Sequence, residues 1–312
     1  MSSLRLEAFA GLDEGVAAAV LALAGRAADA DGVDAISEAF RLALTSPRSE
    51  VTHFVAYDDD STAASASPLL GYAARDATGS AELVVDPDSR RQGAGRALLT
   101  AVLGGARTGH QSGVWAHGNL PGAQGLAAAE GLVSTRELHV MARPLTADDA
   151  ADPVLPQGFS VRTFVPGRDE QAWLEVNGLA FASHPEQGSI TLQDLQDRMA
   201  QEWFDPAGFF LVEDTKVTGE DGGHPLAAFH WTKREPKSKT GEVYVVGVRP
   251  AYQGRGLAGP LTGIGTAYLA RQGCTEVELY VDGDNTRALA TYRRAGFEDA
   301  AIHVVYGRPG EP

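Results

Sequence analysis

The stretch from Val243 to Leu269, VYVVGVRPAYQGRGLAGPLTGIGTAYL, decides the fold. Its opening run, Val243 to Val248, is rich in β-branched residues and reads as a buried strand, and Arg249-Pro250 stops it because proline has no amide to continue a ladder. From Leu257 onward apolar residues recur at helical spacing, at Leu257, Leu261, Ile264, Tyr268 and Leu269. Between strand and helix lies Gln253-Gly254-Arg255-Gly256-Leu257-Ala258-Gly259. Glycines let backbone amides come close to a ligand, and the unpaired amides of a helix start favour phosphate. The unit is therefore strand, glycine-rich loop, helix, with the local chemistry of pyrophosphate binding.

Gly254, Gly256 and Gly259 also satisfy G-x-G-x-x-G, but the dinucleotide fingerprint sets its glycines at the strand end, and here Arg249 to Gln253 intervene. The order strand, R-P-x-x-Q-G-x-G-x-A, helix resembles the general-control-related N-acetyltransferase (GNAT) superfamily, whose loop holds the pyrophosphate of coenzyme A. Downstream, Val277 to Val281 reads as a strand, Asp282 to Asn285 as a turn with a helix cap, and Thr286 to Ala295 as a short helix closed by Gly296. The pattern L-Y-V-x-x-D-N-x-x-A-x-x-x-Y-x-x-x-G-F resembles the end of a GNAT domain. That resemblance implies an α/β fold on a mixed sheet. It puts acetyl-CoA on Val246, Gly247 and Val248, on Gln253, Gly254, Arg255, Gly256, Leu257, Ala258 and Gly259, and on Asn285, Thr286, Arg287, Ala288, Leu289 and Ala290. It also sets Tyr292 facing the thioester sulfur.

The motif occurs twice. Glu82 to Leu99, ELVVDPDSRRQGAGRALL, laid on Val245 to Thr262, sets Pro87 on Pro250, Arg90 on Gln253, Gly93 on Gly256 and Leu98 on Leu261. Two such loops imply two complete fold units in tandem: residues 1–143, a linker at 144–158 rich in proline, alanine and aspartate, and residues 159–312. In the first half Leu83, Val84, Val85, Arg91, Gln92, Gly93, Ala94, Gly95 and Arg96 match a second acetyl-CoA site. The slide sets Gly79 opposite Glu242, and matching Gly131 to Gly296 sets Ala127 opposite Tyr292, so this copy is expected to bind without catalysis.

Among the remaining elements, helices are expected over Ala35–Leu44 with Asp34 as cap, over Ala172–Phe181 and over Leu192–Glu202 with Thr191 as cap. Strands are expected at Val51–Tyr57, Leu69–Arg75, Phe209–Val212 and Leu226–Trp231, with a surface loop at Asp58–Pro68. The net charge of −15 over 312 residues argues against a generally basic nucleic-acid surface. The alanine-rich run Val16–Ala24 is too short to span a bilayer. One cysteine, Cys274, forbids an intrachain disulfide, fits reducing cytosol and reads as a small packing residue. There is no G-x-S-x-G, no H-E-x-x-H and no metal spacing among the eight histidines. A cytoplasmic monomer acting on a small molecule, without a metal, nucleic acid or membrane, is expected.

Acetyl transfer to an amine needs a base, donors for the developing oxyanion and help for the leaving thiolate. An α-amine has a pKa of about 8, so only about a tenth is nucleophilic at neutral pH. The GNAT resemblance implies Glu242 as that base, directly or through water, and Tyr292 as acid towards the sulfur. With ordinary values of about 10 and 8.5, full transfer from tyrosine to thiolate is uphill by roughly 2 kcal/mol, so partial donation is the expectation.

Finally, Ala180–Gly188 (AFASHPEQG), Phe229–Lys233 (FHWTK), Gly241–Val248 and Leu279-Tyr280-Val281, with the tandem arrangement, resemble the mycothiol synthase family of actinobacteria. That implies acetylation of the cysteinyl amine of a cysteine–glucosamine–inositol pseudodisaccharide, with Glu38, Glu186, Lys233, Glu242 and Tyr280 lining the substrate site. Two other readings stay open: a tandem GNAT enzyme for a different amine, and a non-catalytic acyl-CoA sensor.

Overall fold

The computed structural model describes residues 4–46, 50–58, 69–104, 113–182, 185–219 and 222–310, apart from the side chains of residues 185 and 186. The chain forms two compact units, residues 1–138 with 301–312 (unit 1) and residues 139–300 (unit 2). Unit 1 runs β1 (Leu4–Phe9), α1 (Glu14–Asp31), α2 (Glu38–Ala43), β2 (Thr52–Asp58), β3 (Leu69–Arg75), β4 (Ser80–Val85), α3 (Ala94–Leu103), β5 (Gly113–Ala116), α4 (Pro121–Ala129) and the start of β6 (Val133–Pro144). Its strands lie in the order β1-β2-β3-β4-β5, antiparallel except for the parallel pair β4–β5.

Unit 2 continues with β7 (Phe159–Thr163), α5 (Glu170–Ala180), α6 (Pro185–Gly188), α7 (Leu192–Met199), β8 (Phe209–Asp214), β9 (Leu226–Lys233), β10 (Thr240–Val248), α8 (Ala258–Arg271), β11 (Glu276–Asp282), α9 (Thr286–Arg294) and β12 (Glu298–Gly307). Its strand order is β6-β11-β10-β9-β8-β7, with β10–β11 parallel and β7 to β10 antiparallel. The last residues of β12, Val304–Gly307, belong to unit 1 and pair antiparallel with β5.

Each sheet is covered on both faces. In unit 1, α1 lays Ala17, Val20, Leu23 and Ala27 on one face, and α3 lays Leu98, Leu99 and Val102 on the other. α1 is capped by Asp13, which accepts the Val16 amide at 2.9 Å, and ends at Gly32 with φ 71°. In unit 2 one face is an aromatic cluster of Trp173, Trp203, Phe209, Phe229 and Trp231 under α5 and α7. α8 and α9 cover the opposite face.

Thr191 caps α7 as expected, in a capping box with Asp194. α2 differs from expectation, beginning at Glu38 instead of Ala35. Ser37 is its N-cap because the Asp34 carboxylate turns away to Arg41 at 2.7 Å. The expected surface loop falls on residues 59–68, outside those described. The segment 144–158 is a packed part of unit 2: Leu145 is buried, Leu155 packs on the core beneath α8, and Arg271 donates to the Ala150 carbonyl at 2.8 Å. Cys274 is buried in the same unit and its thiol is pushed up by burial, as suits a packing residue.

Candidate active site

In unit 2 the site begins with a defect in a strand. β9 and β10 keep register from Glu242↔Lys233 to Val243↔Thr232, then jump to Val245↔Trp231, leaving Tyr244 as a bulged extra residue. The bulge re-phases β10. Before it, Gly241 and Val243 face α8; beyond it, Val246 and Val248 do so, while Gly247 turns to Phe229 and Ala180 on the α5 side.

On its other edge β10 pairs with β11 only as far as Val243↔Leu279. From Tyr244 to Val248, backbone groups facing β11 therefore have no ladder partner from that strand. Two parallel strands that part in this way offer main-chain donors and acceptors to an extended polyamide arm. This is where Val246, Gly247 and Val248 lie.

The phosphate loop continues from β10. A short 3-10 turn over Pro250–Tyr252 leads to Gly254 and Gly256, with φ 79° and 78°, and then to α8. These left-handed conformations explain the glycines there. Gln253 donates back to the Val248 carbonyl at 3.4 Å, Arg255 approaches Asp214 at 4.0 Å, and Leu257 is buried beneath the loop. Ala258 and Gly259 form the first turn of α8. Asn285 caps α9 by accepting the Ala288 amide at 3.1 Å, so Thr286, Arg287, Ala288, Leu289 and Ala290 form the first turns of that helix, with Leu289 buried. An open parallel-strand edge, a glycine loop and two helix starts suit acetyl-CoA as the substrate that would lie there.

Glu242 lies between Lys233 on β9 and Glu278 on β11 in direct register, which sets all three on the α5 face. Tyr280 is two residues beyond Glu278 and 45% exposed. The Lys233 ammonium sits 5.0 Å from the Trp203 ring and 5.5 Å from the Tyr244 ring, and 3.3 Å from Glu235. Tyr244 accepts from Arg198 at 3.0 Å. Glu278, Tyr244, Trp203 and Arg198 were not among the expected site residues. Counting by two along the strands from Tyr280 and Glu242 finds the first two; the others come from α7 and the turn after it, and only folding brings them here.

Tyr292 belongs to the opposite face, on α9 in the α8-side cluster, edge-on to Phe297 at 5.9 Å. Burial pushes its phenol up to about 12. Glu242 and Tyr292 therefore approach the parted strands from opposite sides of the sheet. Glu38 opens α2 in unit 1. Glu186 belongs to α6, but its side chain lies outside the described residues.

Unit 1 repeats the geometry with differences. β4 and β5 pair from Ser80↔Gly113 to Glu82↔Trp115, and the β3–β4 register has no bulge. One residue fewer shifts the correspondence, so Ser80, not Gly79, is the counterpart of Glu242; its hydroxyl accepts from Trp115 Nε1 at 3.2 Å. A cavity of about 790 Å³ opens where the strands part, lined by Leu83, Val84, Val85, Arg91, Gly93, Gly95, Arg96 and Ala127, among others. Arg91 holds φ 64° and Gly93 φ 100°, matching the backbone of Gly254 and Gly256. Gln92 precedes Gly93 and Ala94 starts α3, so every first-half acetyl-CoA candidate lies on this strand, loop and helix start. Ala127, on α4, is among the residues that line this cavity.

Among the described residues no group of histidine, cysteine or carboxylate is arranged to hold a metal, and no helix is long and apolar enough to cross a membrane. The Acetyltransferase (GNAT) family matches residues 173–297. Among solved structures, a GCN5-related N-acetyltransferase from Sphaerobacter thermophilus superposes with TM-score 0.65 at 25% identity, over 98% of this chain and 97% of that one. A tandem GNAT protein from the clavulanic acid biosynthesis pathway superposes with TM-score 0.73 at 20% identity over 99% of both chains, a likeness of fold. The mycothiol acetyltransferase of Streptomyces avermitilis is 48% identical, over 96% of this chain and 94% of its own. That of Kytococcus sedentarius is 46% identical over 92% of each. With such identity over nearly its whole length, the chain belongs to the mycothiol acetyltransferase family of the GNAT acetyltransferases.

Proposed function

We propose that this chain makes mycothiol by transferring the acetyl group of acetyl-CoA to the cysteinyl amine of the cysteine–glucosamine–inositol pseudodisaccharide. The observation that carries the reading is the 48% identity to a mycothiol acetyltransferase over 96% of this chain. The chemistry of unit 2 supports it. Acetyl-CoA supplies the activated thioester. The amine nitrogen bonds the carbonyl carbon as the carbon–sulfur bond breaks. Glu242 takes the ammonium proton, directly or through one water, and the Tyr292 hydroxyl donates a hydrogen bond to the departing thiolate. Main-chain amides along Val246 to Val248 stabilise the carbonyl oxygen as negative charge grows on it. Tyr280 and Lys233 contribute hydroxyl and ammonium groups for the sugar and inositol hydroxyls.

The experiment incubates the full chain with acetyl-CoA and the pseudodisaccharide and separates products by chromatography, since the substrate carries its own thiol. N-acetylated product with stoichiometric CoA is expected from wild type, slowed about 100-fold or more in Glu242→Gln. No acetylated product from wild type, with acetyl-CoA bound, overturns the reading.

A further inference from the structure

We propose that Tyr252 and Asp214 are positioning residues of the unit 2 phosphate loop: they hold the Arg255 guanidinium beside Gly254 and Gly256, with its N–H donors left for a coenzyme phosphate. The inference rests on the reading of unit 2 as an acetyl-CoA site. It goes beyond that reading by assigning what places the loop's cation.

Arg255 is the only charged residue between Gln253 and Gly259. Its guanidinium lies 4.7 Å from the centroid of the Tyr252 ring and 4.0 Å from Asp214 Oδ2, and its side chain is 52% exposed. The first contact is cation–π, and the second is an ion pair too long for a hydrogen bond. Among the described residues Arg255 makes no hydrogen bond, so the donors of its fork are uncommitted. Arg249, before the same turn, differs: it donates to Glu175 at 2.9 Å. The loop surface beside Arg255 is bare, since a Cβ added at Gly254 or Gly259 would meet nothing within 4 Å.

The platform that carries the guanidinium is itself fixed. Tyr252 ends the 3-10 turn Pro250–Tyr252, and its ring stands edge-on to Phe159 at 6.0 Å. Phe159 pairs directly with Asp214 across β7 and β8. Asp214 is 5% exposed, and its Oδ1 accepts the Lys216 amide at 3.0 Å. Burial, then the charge of Asp214 and a hydrogen bond to it, push the Tyr252 phenol up, so the hydroxyl stays protonated and donates to that carboxylate. By charge alone, a buried carboxylate beside a phosphate loop repels the ligand. Set 4.0 Å from the guanidinium, it instead anchors a cation whose planar fork suits phosphate oxygens.

The test reads the KM for acetyl-CoA in the full chain at saturating pseudodisaccharide. Arg255→Met should raise it about tenfold. Tyr252→Leu should raise it about fivefold, and Tyr252→Phe, which keeps the ring, at most about twofold. Throughout, kcat and the KM for the pseudodisaccharide should stay within about twofold. Added to Arg255→Met, Tyr252→Leu should cost less than about twofold more, because the ring then has no cation to place. Asp214→Asn decides by sign: an anchoring carboxylate predicts a KM raised about threefold, and a merely repelling one predicts a KM lowered. An undiminished effect of Tyr252→Leu without Arg255, no effect with it, or a KM unchanged or lowered in Asp214→Asn overturns the positioning role. Calorimetry of acetyl-CoA binding, followed at the site that Arg255→Met weakens, gives the same order without turnover. A wild type that leaves the pseudodisaccharide unacetylated therefore counts against the proposed reaction and not against this inference.

Discussion

Tyr292 and Glu242 show what a side chain's surroundings add to its identity. Burial pushes Tyr292 up to about 12, against about 8.5 for a thiol, so full proton transfer to the thiolate is uphill by about 5 kcal/mol where ordinary values give about 2. The phenol stays protonated throughout the working range and acts as a hydrogen-bond donor. Tyr292→Phe should lower kcat about 10- to 100-fold with the KM for acetyl-CoA within about twofold, and wild type should show no alkaline limb from this group below about pH 11. A full loss of activity, or a limb near pH 9, would contradict it. Lys233, held between Trp203 and Tyr244, is a ready-made contact for hydroxyls. Lys233→Met should raise the KM for the pseudodisaccharide about tenfold with little change in that for acetyl-CoA, and cost about 1 kcal/mol of stability.

The loop and helix from Gln253 to Arg271 contain glycines that serve different ends, and substitution separates them. Gly254 has open space but φ 79°, so Gly254→Ala should destabilise by about 1 kcal/mol through backbone strain alone. Gly259 sits in the first turn of α8 with open space and ordinary φ, so Gly259→Ala should stabilise the ligand-free protein by up to about 1 kcal/mol. Gly265 faces His230, and a Cβ there would run into the imidazole ring. Gly265→Ala should cost about 3 kcal/mol, at the upper end for overpacking. Urea unfolding of the three variants checks the order, and equal effects would refute it. In the same element of unit 1 Arg91 accepts the left-handed backbone that glycine supplies in unit 2, which keeps the loop shape and adds a cation.

Over the whole chain, each unit buries a neutral histidine. His230 in unit 2 is held down to about 4 by desolvation, its Nδ1 bonded to the Leu261 carbonyl at 2.7 Å. Burial, with a contribution from His117, does the same to His303 in unit 1. Both should titrate near 6.5 when unfolded. Above that value neither state is charged and nothing is lost. As pH falls from about 6.5 to 4 the unfolded chain takes protons that the folded chain refuses, so stability falls by about 2 kcal/mol per histidine by pH 5. Asp149, Asp169 and Asp299 are held below the carboxylate range by Arg143, by Arg162 with Arg168, and by His139 with Arg293. Their contribution is intact above about pH 4 and is lost only below it. Urea unfolding at pH 7.5 and 5 should therefore show a marked loss, and equal midpoints would contradict the neutral buried histidines.

Sequence alone determined the tandem strand–loop–helix units, the glycine loops and the strand ends at Pro87 and Pro250, because those features are local: periodicity, proline and left-handed backbone act within a few residues. It also marked Glu242, Lys233 and Tyr280, through resemblance. Folding decided the rest. The bulge at Tyr244 depends on how β9 pairs with β10, and it alone moves the counterpart of Glu242 from Gly79 to Ser80. The approach of Glu82 on β4 to His117 in the turn after β5 joins residues separated by a helix. Register, burial and long-range ion pairs are properties of chain segments brought together from far apart, and no window of sequence contains both partners.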